Sequence, residues 1–98
     1  MAEVKWTEQA LDDLQAITEF IARDSVEYAS LFTTDVLDAV DRIAVFPEIG
    51  RVVPEVENPD IREVILGNYR IVYRLRGHTV EILTLYHSAR LFDPSQLN

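Results

Sequence analysis

The sequence predicts an α+β fold in two layers, an αα-hairpin packed on an antiparallel β-sheet. Three observations lead there. Apolar residues recur every three to four positions through the first half of the chain, the spacing of helices with one buried stripe. They alternate with polar residues through most of 61–87, the spacing of half-buried strands. Two glycine-led dipeptides, Gly67-Asn68 and Gly77-His78, interrupt that alternation where two-residue hairpin turns belong. A chain of 98 residues is read as one domain, 1–98, large enough to bury roughly 65% of its unfolded surface without a metal or disulfide staple.

Val4 and Trp6 alternate with polar neighbours and predict a short opening strand. Thr7 reads as a helix N-cap, Glu8 favours the positive end of the dipole, and Trp6 with Leu11 forms a hydrophobic staple. Leu11, Leu14, Ile17 (or Thr18) and Ile21 make one stripe to about Arg23, with Glu19 and Arg23 paired on the outer side. Asp24 reads as the next N-cap, with Glu27 completing a capping box. Ala29, Phe32, Val36, Val40 and Ile43 form the second stripe, while Asp35, Asp38 and Asp41 mark a solvated edge; Pro47 and Gly50 stop the helix. Residues 47–60 hold three prolines and read as a loop, with a brief extended piece at Arg51–Glu55.

The turn positions fix which side chains share a face of the sheet. A two-residue turn at Gly77-His78 sets Leu75 opposite Val80 and Arg74 opposite Glu81, and continues to Arg70 opposite Leu85. One face then carries Tyr69, Ile71, Tyr73, Leu75, Val80, Ile82, Thr84 and Tyr86, and should pack on the helices. The other carries Arg70, Val72, Arg74, Arg76, Glu81, Leu83, Leu85 and His87, joined by Ile61, Glu63 and Ile65. In this register Arg70 and His87 are diagonal neighbours able to touch one small ligand. The mixed face is the expected working surface, and its own chain is not expected to cover it.

Composition narrows the chemistry. There is no cysteine, which excludes disulfides, thiolate metal sites and thiol catalysis. The two histidines, His78 and His87, lack metal-ligand spacing, so neither a metal nor another cofactor is expected. No leader-like opening and no apolar run approaching ~20 residues is present, so a cytoplasmic protein without membrane contact is expected. The net charge is −8, and residues 1–49 carry three basic against eleven acidic side chains, whereas 50–98 carry six of each. Such a field repels nucleic acid, because phosphate contact by Lys and Arg supplies most non-specific affinity.

The succession Ala10-Leu11-Asp12-Asp13-Leu14, Phe46-Pro47-Glu48-Ile49-Gly50-Arg51, Pro54-Glu55, Ile61-Arg62-Glu63, Tyr69-Arg70-Ile71-Val72-Tyr73-Arg74 and Tyr86-His87-Ser88-Ala89-Arg90 resembles the ParE/RelE toxin superfamily. The likeness is nearest to its ParE-like plasmid-stabilisation branch and spans about residues 4–90. It implies a β-α-α-β-β-β order with the first strand beside the last, and an antitoxin that wraps and silences the toxin. ParE-like toxins bind and poison DNA gyrase; RelE- and YoeB-like toxins cut messenger RNA on the ribosome.

By position, the resemblance places Arg70 on the arginine that holds the cleaved phosphate in the nucleases. It places His87 on a catalytic histidine and Glu55 near a glutamate base. Two departures weigh against cleavage: Pro54, Glu55 and Glu57 stand where the nucleases are basic, and the chain is acidic overall. Simpler roles exist for the same residues. Arg70 can pair with Glu63 or Glu81, Arg74 with Glu81 across strands, His87 can end a strand, and Glu55 can sit in solvent. Arg51 and Arg62 can anchor the long loop or meet an antitoxin, and Arg90 can complete a basic corner or anchor the tail. Ile61, Ile65, Arg74, Leu83, Leu85 and Arg90 are the candidates for antitoxin or target contact. The leading expectation is a gyrase-binding toxin with a cognate antitoxin. The alternatives are a ribosome-dependent messenger endoribonuclease, or a degenerate member that binds antitoxin only.

Overall fold

The structure, a computed structural model, describes residues 1–89. Seven elements follow in order: β1 (Glu3–Trp6), α1 (Glu8–Ala22), α2 (Val26–Val45), β2 (Arg51–Val52), β3 (Ile61–Leu66), β4 (Tyr69–Arg76) and β5 (Thr79–His87). The two helices lie on one face of a five-stranded sheet ordered β1-β5-β4-β3-β2. Strands β3, β4 and β5 form the two antiparallel hairpins expected. The extended piece at Arg51–Val52 pairs antiparallel with β3, and β1 joins beside β5 in parallel, which makes the sheet mixed. Among the described residues no helix is long and apolar enough to cross a membrane.

Thr7 caps α1 and also fastens it to the sheet. Its Oγ1 accepts from the Ala10 amide at 3.1 Å and donates to the carbonyls of Ile82 and Leu83 at 2.9 and 3.0 Å. That anchor turns Ala10 fully inward, so the stripe runs through Ala10, Leu14 and Ile17, and Leu11 is left 51% exposed. The second cap is Ser25, one residue later than expected. Its backbone is extended and its hydroxyl accepts from the Tyr28 amide, whereas the Asp24 amide is still spent on the Ile21 carbonyl that closes α1. Glu19 accepts from Gln15 at 3.1 Å instead of pairing with Arg23.

Gly67 and Gly77 have φ of +58° and +61° at the first central position of their two-residue turns. This is the sign a type II′ hairpin needs and a side chain resists. From Gly77 the register runs as predicted to Tyr73 opposite Ile82. There it slips by one: Val72 faces Thr84, Ile71 faces Leu85 and Arg70 faces Tyr86. Leu83 is the extra residue of a β-bulge. The carboxylate of Asp13 on α1 accepts from Thr84 Oγ1 at 2.5 Å and from the Leu85 amide at 3.2 Å, satisfying groups the irregular ladder would leave unpaired. Asp13→Ala should therefore destabilise the fold by about 1–3 kcal/mol, the cost of orphaning buried donors. Urea unfolding with an unchanged m-value checks this; a midpoint equal to wild type would contradict it.

The core has two parts. Between helices and sheet lie Ala10, Val36, Ala39, Val40, Ile43, Ile71, Tyr73, Val80, Ile82 and Leu85. On the opposite face Val53, Ile61, Val72, Leu83 and Tyr86 form a second cluster, with Val56 against it. The loop after β2 folds back to build that cluster, held by Val53 N–H to the Ile61 carbonyl and Leu75 N–H to the Asp60 carbonyl. This corrects the expectation of a face its own chain leaves open. Ile61 and Leu83 are each 4% exposed and Leu85, carried to the helix side by the bulge, is 2% exposed, so these three present no free apolar surface.

Candidate functional site

The outer face of the sheet consists of rungs two residues apart. Ile65, Arg70 and Tyr86 form one; Arg51, Glu63 and Val72 form the next. Glu63 is the centre of this face. It stands in phase with Ile61 and Ile65 on β3 and is only 1% exposed. A buried carboxylate is costly unless its oxygens are paired, and two arginines supply the pairing. Arg51 reaches it through Nε at 2.6 Å and through Nη2; Arg70 reaches both carboxylate oxygens through Nη1 at 3.3 Å. Arg70 also donates to the Tyr86 hydroxyl at 3.4 Å and its guanidinium stands 5.7 Å from that ring's centre. Burial alone would lower the Arg70 pKa, but the charge of Glu63 and the bonded Tyr86 outweigh it and hold the guanidinium above its ordinary value. Burial pushes the Tyr86 phenol up, although Arg70 pulls it back.

His87 is on the other side. The bulge sets it opposite Tyr69, whose ring it meets edge-on at 5.2 Å, while Arg70 faces Tyr86. The predicted diagonal contact of Arg70 with His87 therefore does not form. A one-residue slip sends each following side chain to the opposite face. His87 Nδ1 accepts from the Ala89 amide at 3.0 Å, which leaves the proton of a neutral ring on Nε2. With Asp13, Ile17, Phe20 and Tyr69 it lines an open, mostly apolar cavity of about 410 Å³ between α1 and the sheet end. Glu55 lies exposed in the turn after β2, on the Tyr86 side.

The remaining candidates divide by exposure. Arg74 pairs with Glu81 at 3.8 Å, as its cross-strand position implied, and Arg76 Nε joins the same carboxylate at 3.4 Å. Ile65 is 51% exposed on the outer face. Arg62 anchors the loop before β2, donating to the carbonyls of Gly50 at 2.9 Å and Glu48 at 3.3 Å. Arg90 lies outside the described residues. Among the described residues no group of three His, Asp or Glu side chains is placed to hold a metal ion. Two residues matter more than the sequence reading allowed. Glu63 carried a legible signal, a charge at a buried phase between two isoleucines. Asp13 carried none, since its partners are more than 70 positions away.

Two helices over a mixed sheet whose first strand pairs with its last is a fold with counterparts among solved toxin–antitoxin systems. A structure of a chromosomal ParDE toxin–antitoxin system from P. aeruginosa superposes with a TM-score of 0.72 at 26% identity, covering 89% of this chain and 96% of that one. The RelBE2 toxin–antitoxin complex of Mycobacterium tuberculosis shares the fold, with a TM-score of 0.55 at 24% identity over 88% of this chain and 96% of the other. Toxin RelE2 of Caulobacter vibrioides is 36% identical over 92 residues, 93% of this chain and all of the relative. Putative toxin Y4kP of Sinorhizobium fredii is 33% identical over 87 residues, 87% of this chain and 86% of the relative. The family model of the ParE toxin of type II toxin–antitoxin systems, parDE, matches residues 4–92. The chain belongs to the ParE toxin family, and is the toxin of a type II toxin–antitoxin system.

Proposed function

We propose that this toxin acts by binding DNA gyrase, and that a cognate antitoxin neutralises it. One observation carries the choice of binder over nuclease. Arg70, the side chain best placed to hold a scissile phosphate, is engaged by the buried Glu63, and His87 lies on the opposite face of the sheet. Cleavage needs charge stabilisation and proton transfer at one phosphate, and these two side chains do not converge on one point. The net charge of −8 adds a long-range field that disfavours messenger RNA.

The antitoxin has apolar surface to cover. Phe20, Tyr28 and Leu31 are 60%, 69% and 57% exposed at the corner of the helical hairpin, beside the cavities that flank Tyr69. Ile65 and Arg74 offer a second contact region on the sheet. Exposed apolar groups gathered in this way mark interaction sites, and an amphipathic helix is the natural occupant. Hydrogen exchange with and without the protein encoded beside the toxin gene should show protection at 16–32 and 65–70; protection absent from both segments would contradict the assignment. In cells lacking antitoxin, Arg70→Ala and His87→Ala should each weaken growth arrest less than about 10-fold. Loss of a transition-state group would cost on the order of 10² or more, and a drop of that size in both variants would overturn the binder reading.

A further inference from the structure

The Glu63 cluster is larger than its occupant. Arg51 approaches closely with two nitrogens, but Arg70 only reaches 3.3 Å, and its buried Nε has no hydrogen-bond partner. Both Arg51 nitrogens engage one carboxylate oxygen, Oε2, and Arg70 Nη1 is shared between Oε1, Oε2 and the Tyr86 hydroxyl, so the two guanidiniums offer more N–H donors than one planar carboxylate takes up. The charge count agrees: two cations surround one anion. Arg51 has a side-chain exposure of 56%, so the cluster opens to solvent at its rim.

We infer that Glu63 is a built-in counter-anion filling a two-arginine oxyanion clamp, and that its carboxylate excludes phosphate groups from Arg51 and Arg70. Glu63 is then a specificity-determining residue. It satisfies the arginines from within, so an otherwise acidic protein is not left with a phosphate site on its sheet. The inference concerns phosphate affinity and stands whichever target the toxin takes. With the carboxylate neutralised, two partly buried guanidiniums would lack a counter-ion, and a phosphate could displace the weaker, neutral amide from them and reach the orphaned Arg70 Nε.

Glu63→Gln keeps the size and removes the charge. Isothermal titration at constant ionic strength, with inorganic phosphate and with a short phosphodiester dinucleotide lacking a terminal phosphate, should show at least about 10-fold tighter binding than wild type for one or both, a tenfold step being a modest gain for charge-assisted hydrogen bonds. A gain for phosphate alone assigns the clamp to a free or terminal phosphate. A gain for both assigns it to a nucleic-acid backbone as well. The gain should vanish in Glu63→Gln/Arg70→Gln. A folded Glu63→Gln protein that binds neither anion better than wild type overturns the inference, as does a gain that survives Arg70→Gln. If Glu63→Gln does not fold in chloride, sodium phosphate at equal ionic strength should restore a cooperative melt; failure of that rescue overturns the inference too.

Discussion

Val72→Asp is expected to unfold the isolated protein as completely as Ile71→Asp. The two residues are neighbours on β4, point to opposite faces, and are both 0% exposed. Ile71 belongs to the core under the helices and Val72 to the cluster under the loop after β2. A carboxylate at Ile71 loses its hydration and meets no cation. One at Val72 is set directly opposite the buried Glu63 carboxylate and must compete with it for arginines already engaged. Either costs several kcal/mol, against a total stability of about 5–15 kcal/mol for a domain of this kind. Ile65→Asp, at a half-exposed site on the same outer face, should be tolerated within about 0.5 kcal/mol. Far-ultraviolet circular dichroism and urea titration of the three variants decide it. A cooperative, near-native transition for Val72→Asp would mean that the loop does not close a second core.

Gly50→Ala should be the next most damaging change. A Cβ at Gly50 would lie 2.6 Å from the Tyr73 hydroxyl oxygen, 2.7 Å from the Glu63 carbonyl oxygen and 2.9 Å from Tyr73 Cε1. The carbonyl is strand backbone and cannot step aside. The phenol is equally fixed: it accepts from the Gly50 amide at 2.9 Å and donates to the Pro47 carbonyl at 2.8 Å. The same burial raises the Tyr73 pKa, even though the Gly50 hydrogen bond works the other way. Overpacking of this kind costs about 1–3 kcal/mol, and loss of the paired hydrogen bonds adds to it. Removing the hydroxyl in Tyr73→Phe relieves one of the clashes, so Gly50→Ala/Tyr73→Phe should cost less than the two single changes added together. Strict additivity, or a neutral Gly50→Ala, would contradict the described contact.

Local chemistry made much of the fold legible. Thr7, the apolar stripe of α2, most of that of α1, and glycine at the first position of each hairpin turn act within a few residues, and the structure follows them, Leu11 excepted. Three features escaped because their causes are distant in sequence. The bulge at Leu83 depends on a carboxylate offered by Asp13 from α1. Without that information an unbroken ladder is the simpler reading, and it places Leu85 and His87 on the wrong face. The place of β1 beside β5 has no turn to announce it and entered only through the family resemblance, and its parallel direction was not foreseen. The second core is built by Val53 and Val56 from a proline-rich loop with no periodicity, so nothing local shows that it folds back. The site fared in the same way. Arg70 with Glu63 and Arg74 with Glu81 lie inside or beside the well-registered part of the hairpins and were foreseeable as pairs, whereas Arg70 with His87 spans the bulge and was not.

The proposed gyrase binding, with no cleavage chemistry shared between Arg70 and His87, separates from messenger cleavage in a single set of cultures. The most direct test expresses wild type, Arg70→Ala and His87→Ala without antitoxin, maps messenger ends by primer extension, and scores gyrase-dependent DNA breaks in the same cultures. Gyrase binding predicts DNA breaks with wild type, breaks only partly reduced in each variant, and messengers with no codon-positioned cuts. Codon-positioned cuts with wild type that vanish in both variants, with no DNA breaks, would contradict it.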